Sequence, residues 1–84
     1  MEILDILNQP VVEGDLIAGG FRSGNSGELR IGYVEGFGER GNNATVKVHW
    51  VQGSGYGGRR QELDIHGAIE ADLFRFVKIT VNGD

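Results

Sequence analysis

Polar and apolar residues alternate through short stretches of this chain, and glycine closes off most of them. In Thr45-Val46-Lys47-Val48-His49-Trp50-Val51, Val46, Val48 and Trp50 share one side while Thr45, Lys47 and His49 share the other. A period of two belongs to a β-strand in a sheet with one buried face. Twelve of the fifteen glycines fall between Gly19 and Gly58, where they separate such runs. Glycine supplies the corners and bulges of a tightly curved sheet. The pattern therefore predicts a small, strongly bent all-β barrel.

The elements follow from the same pattern. Residues 1–10 form a helical extension: Ile3, Leu4 and Leu7 stand at helical spacing and Pro10 stops the helix. Residues 11–82 form the barrel. Its first strand runs from Val12 to Phe21, entered through Gly14-Asp15, and Ser23–Gly27 has the composition of a turn. The second strand spans Glu28–Phe37, with Leu29, Ile31 and Tyr33 on one face. Val34 and Phe37 differ in parity, so a bulge is expected near Gly32 or Gly36. Gly41-Asn42-Asn43 is a hairpin turn, and Thr45–Val51 is the third strand. A fourth strand, Gln61–Ile65, turns Leu63 and Ile65 inward. Ala68–Leu73 reads as one helical turn. The fifth strand, Phe74–Val81, places either Val77, Ile79 and Val81 or Phe74 and Phe76 in the core.

Length and charge narrow the function classes. Eighty-four residues make one domain with a small core. Without cysteine there is no disulfide and no thiolate metal site, which fits a reducing cytoplasm. No apolar run reaches the roughly 20 residues that span a membrane, and the acidic N-terminus is not that of a signal peptide. The net charge of −4 comes from Glu2, Asp5, Glu13 and Asp15 in the first twenty residues, where there is no base. An acidic chain disfavours generic nucleic-acid binding, which depends on neutralising phosphates.

Motifs for catalysis are weak. Gly53, Gly55 and Gly58 match G-x-G-x-x-G after a strand, but a dinucleotide site needs a helix opening at Gly58 and a parallel strand beyond. A hairpin loop is the simpler reading. His49 and His66 are the only histidines; His49 falls on the outer side of its strand, and neither has ligand-like spacing, so no metal and no cofactor is expected. Asp64 and His66 share one side of a strand as a solvated pair. Ser23, Ser26 and Ser54 lie in turns without a nucleophile elbow. The chain is expected not to be an enzyme.

The candidate binding residues are loop arginines and aromatics. Six of the eight bases are arginine, the residue suited to bidentate contacts with carboxylate or phosphate. Arg22, Arg30, Arg40, Arg59 and Arg60 lie in or beside turns or on the outward side of the second strand, and Tyr33, Phe37 and Tyr56 lie near them; of these arginines Arg22, Arg30, Arg59 and Arg60 are taken as binding residues. Trp50, in phase with Val46 and Val48, is assigned to the core.

The order of elements, with a strand opened by Gly14-Asp15-Leu16-Ile17, the stretch Arg22–Val34, the strand Val46-Lys47-Val48-His49-Trp50 and the final Phe74-Arg75-Phe76-Val77-Lys78-Ile79, resembles a five-stranded SH3-like barrel. The likeness is to small, mostly uncharacterised proteins encoded by phages of actinobacteria, and more loosely to KOW-type barrels. The resemblance implies a bacterial cytoplasm as working compartment and a host protein as partner. The leading expectation is a non-enzymatic module docking a bacterial protein through Arg22, Arg30, Tyr33, Phe37, Tyr56, Arg59 and Arg60. The alternative is weak nucleic-acid binding through Arg22, Arg59 and Arg60.

Overall fold

The computed structural model describes residues 2–23, 26–54, 59–73 and 75–80. Five antiparallel strands form one sheet in the order β4-β3-β2-β1-β5: β1 (Leu16–Ser23), β2 (Ser26–Arg40), β3 (Asn43–Ser54), β4 (Arg60–Glu70) and β5 (Phe76–Ile79). A 3₁₀ turn, Ala71–Leu73, precedes the last strand. The all-β expectation, the five strands and the single helical turn before β5 are all present. β4 is longer than expected, taking in residues 66–70 as strand and confining the helical turn to the last three positions.

The sheet curls around one core made by alternate residues. Ile17, Val34, Val46, Val48, Trp50 and Phe76 are buried together. Phe76 settles the choice between the two phases of the last strand, while Val77 and Ile79 are half-buried. Trp50 is the largest buried side chain, 1% exposed, and Phe21 meets it edge to face at 5.0 Å between ring centroids. The room for the indole comes from glycine. A Cβ on Gly19 would lie 2.9 Å from Trp50 Cη2, and one on Gly32 would lie 2.5 Å from the His49 carbonyl oxygen. β2 therefore lines the core with Arg30, Gly32 and Val34. Its apolar series, Leu29, Ile31 and Tyr33, faces outward, with Leu29 and Tyr33 exposed.

The β2–β3 register shifts beside both glycines that the sequence singled out: the extra residue is Val51 of β3 opposite Ile31 and Gly32, and Glu35 of β2 between Val34 and Gly36. Gly41 turns the β2–β3 hairpin at φ +62°, a left-handed conformation that glycine adopts without strain.

The expected N-terminal helix does not form in residues 2–10. Leu4 pairs with Pro10 in an isolated bridge, the Val11 N–H donates to the Ile3 carbonyl at 2.9 Å, and Asn8 takes a φ of 61° between them. The reason is local competition for backbone donors. A nine-residue helix is marginal by itself, and a side-chain carboxylate near its start can capture the same N–H groups. Asp5, 0% exposed, does so: its Oδ1 accepts from Leu7 N at 2.9 Å and Gln9 N at 2.8 Å, and its Oδ2 accepts from Gln9 Nε2 at 2.9 Å. Oδ2 also accepts from the backbone N–H of Lys78 in β5 at 2.7 Å, and Ile6 N donates to the Phe76 carbonyl at 3.2 Å. The segment is thus a small loop tied along β5, with Ile3 and Val11 buried in the core. Burial pushes the Asp5 pKa up, but the backbone donors of Lys78, Gln9 and Leu7 outweigh it and hold the carboxyl below the usual 3.8.

Candidate functional site

The predicted binding residues do not converge. Arg30 lies on the core side of β2, its guanidinium 4.5 Å above the Phe21 ring and its Nε 3.0 Å from Glu28 Oε1. Its outward placement in the sequence reading is corrected: the inward series of β2 is Arg30-Gly32-Val34, and Arg30 packs against the open end of the core. Tyr33, 49% exposed, stands on the opposite, outward face, paired across β3 with His49. Phe37, 39% exposed, pairs with Val46 and so sits at the margin of the core side, away from Tyr33. Arg59 and Arg60 are exposed, and Arg60 borders a shallow depression with Leu29 and Ile31. Tyr56 lies outside the described residues, and Arg22 is described only in its backbone pairing with Gly27.

The G-x-G-x-x-G reading fails on its own structural requirement. Gly53 is buried within β3, Gly55–Gly58 lie outside the described residues, and Arg60 opens a strand rather than a helix. Ser54 has a structural partner, accepting the Leu29 N–H on its Oγ at 2.9 Å.

Two arginines outside the predicted binding set line one groove. Arg40 closes β2, and Arg75 immediately precedes β5, where its carbonyl accepts the Gly20 N–H at 3.1 Å. Between them lies a groove of about 250 Å³ with Phe21, Ile69 and Leu73 as its apolar lining and Glu70 at its edge. The groove exists because β4 runs on to Glu70 and the 3₁₀ turn then carries the chain back toward β1. Both arginines are exposed, and neither forms an ion pair among the described residues. Apolar surface with a few convergent polar groups in a concavity is the usual make-up of a binding site. Arg40 and Arg75 are 35 positions apart, so only the sheet topology reveals the pair.

A second constellation occupies the outward face. His49 on β3 and His66 on β4 are directly opposed in the strand register, and their rings stack with centroids 4.1 Å apart and planes 10° from parallel. Asp64, two positions before His66, lies on the same face, with Oδ1 2.6 Å from His49 Nε2 and 3.7 Å from His66 Nε2. Glu35 is the extra residue of the β2 bulge, and its Oε1 lies 3.0 Å from His66 Nδ1. Donation of a hydrogen bond to Glu35 raises the His66 pKa above 6.5, opposed by burial and assisted by the charges of Glu35 and Asp64. The sequence places His49 outward and Asp64 with His66 on one side, and both hold. It gives no sign that the two histidines are cross-strand partners, because that depends on the register of β3 against β4.

No helix among the described residues is long and apolar enough to cross a membrane. Comparisons with protein-family models, curated proteins and solved structures find no match to this chain.

Proposed function

We propose that the chain is a non-enzymatic protein-binding module whose contact site is the groove between Arg40 and Arg75. The observation that carries the reading is that two exposed arginines line one groove with Phe21, Ile69 and Leu73. Arginine and aromatic side chains carry a large share of the energy at protein interfaces. The occupant that fits is a segment of a partner protein presenting one apolar side chain beside a carboxylate. The apolar group fills the groove, and the guanidinium groups take the acid in bidentate contact. The SH3-like resemblance and the phage setting it implies make a bacterial host protein in the cytoplasm the partner.

Nucleic-acid binding receives less support. Arg30 is engaged with Phe21 and Glu28, and the outward face beyond Tyr33 carries Glu35 and Asp64. A phosphate backbone meets no continuous basic track there.

The test is selection from a displayed library of short random peptides. Enrichment of peptides with an apolar residue next to Asp or Glu supports the reading, provided that the double variant Arg40→Glu, Arg75→Glu binds them roughly tenfold more weakly or worse. No enrichment, or equal binding to the double variant, overturns it.

A further inference from the structure

The cluster on the outward face has the composition of a transition-metal site. Glu35, His49 and His66 each offer one ligand atom, and these atoms all lie within 4.8 Å of one another. Ligands bound tetrahedrally to zinc at about 2.0–2.1 Å stand some 3.3 Å apart, so a modest closing of exposed side chains brings the three into a first coordination sphere. The strands hold their backbones in place. His49 and His66 are fixed by the β3–β4 register, and Glu35 is carried by the β2 bulge. Asp64, already 2.6 Å from His49, supplies either a fourth ligand or the carboxylate that orients a ligating imidazole.

We infer that Glu35, His49, His66 and Asp64 form a binding site for a divalent transition-metal ion of the zinc class. Two imidazoles with carboxylates select borderline ions such as Zn²⁺, Co²⁺ and Ni²⁺ over Mg²⁺ and Ca²⁺, which prefer all-oxygen cages. To bind a metal, the two rings leave their stack so that one unprotonated ring nitrogen of each faces the ion. Other groups on this face include Tyr33 of β2, paired with His49, Lys47 of β3, paired with Gly36 and Ala68, Glu70 of β4, two positions beyond Ala68, and Glu13, whose Oε1 lies 3.4 Å from where a Cβ on Gly36 would stand. Three strands contribute ligands, so the metal ties β2, β3 and β4 together on the side opposite the core. Neither histidine lines the arginine groove, and the inference stands apart from the peptide-binding reading.

The test titrates the intact chain with ZnCl₂ at pH 7.5 by calorimetry, with Co²⁺ absorption as a second probe. One ion per chain is expected, together with visible Co²⁺ bands of a low-coordinate nitrogen–oxygen site and a higher melting temperature in Zn²⁺. His49→Ala and His66→Ala each abolish the site, and Asp64→Asn weakens it by roughly tenfold or more. Circular dichroism in metal-free buffer shows that these surface variants fold. MgCl₂ in the same titration gives no binding. Absence of Zn²⁺ binding to the wild-type chain, or binding that survives both histidine substitutions, overturns the inference.

Discussion

The Asp5 carboxylate accepts the backbone N–H of Lys78 at 2.7 Å, a bond between the start of the chain and its last strand. Lys78 completes the tie at the same edge, its Nζ lying 3.4 Å from Asp15 Oδ2 and 3.3 Å from the Pro10 carbonyl. β5 has four residues and, among the described strands, pairs with β1 alone, so it depends on this N-terminal loop to hold its outer edge. Asp5→Ala leaves four donors without their acceptor and is expected to cost about 3 kcal/mol, measured by urea unfolding.

The same residue sets an acid limit. The folded pKa of Asp5 lies below 3.8, so the unfolded chain takes up the proton first as pH falls. Its contribution is complete above that value and is lost as pH drops through the folded pKa. Asp5→Asn should therefore be less stable than wild type at pH 6, and the gap should narrow steadily below pH 3.8. A gap that stays constant down to the lowest pH would show that the charge on Asp5 is immaterial.

Trp50 and its glycines form a matched set. Gly32→Ala forces a Cβ against backbone in β3 and is expected to cost about 2–3 kcal/mol; Gly19→Ala meets the rigid indole and costs about 1–2 kcal/mol. Gly20, which has nothing within 4 Å of its would-be Cβ, is the control, and Gly20→Ala should be neutral or mildly stabilising. Thermal melts of the three variants check the ranking.

Arg30 is assigned to stability rather than recognition. Its cation–π contact with Phe21 is partly shielded from solvent, with the Arg30 side chain 23% exposed. Arg30→Ala should lower stability by about 1 kcal/mol, a fall of roughly 4–8 °C in melting temperature for a domain of this size. A melting temperature equal to that of wild type would return Arg30 to the list of free surface charges.

What the sequence discloses follows what is local. The Val46-Val48-Trp50 alternation names the core strand, and Gly32 and Gly36 name the bulges, because each signal lies within a few residues. On β2 the hydrophobic series misleads. Leu29, Ile31 and Tyr33 look like the inward face, yet β3 lies too close over Gly32 for a side chain there, so the inward positions are Arg30, Gly32 and Val34 and the apolar series faces out. At the N-terminus, helical spacing gives way because Asp5 takes the N–H groups of Leu7 and Gln9, and the bond that ties this carboxylate to β5 comes from a residue 73 positions later. The arginine groove and the histidine stack were hidden for the same reason. Arg40 and Arg75 share a groove, and His49 faces His66, only through a sheet topology and register that no local spacing encodes.

The groove between Arg40 and Arg75 is tested most directly by an amide NMR titration with a peptide selected on the wild-type chain. The expected result is a set of shifts confined to Gly20, Phe21, Arg40, Ile69–Leu73 and Arg75, and absent from the Arg40→Glu, Arg75→Glu variant. Shifts centred on Leu29 and Tyr33 of the outward face, or unchanged in the variant, would contradict it.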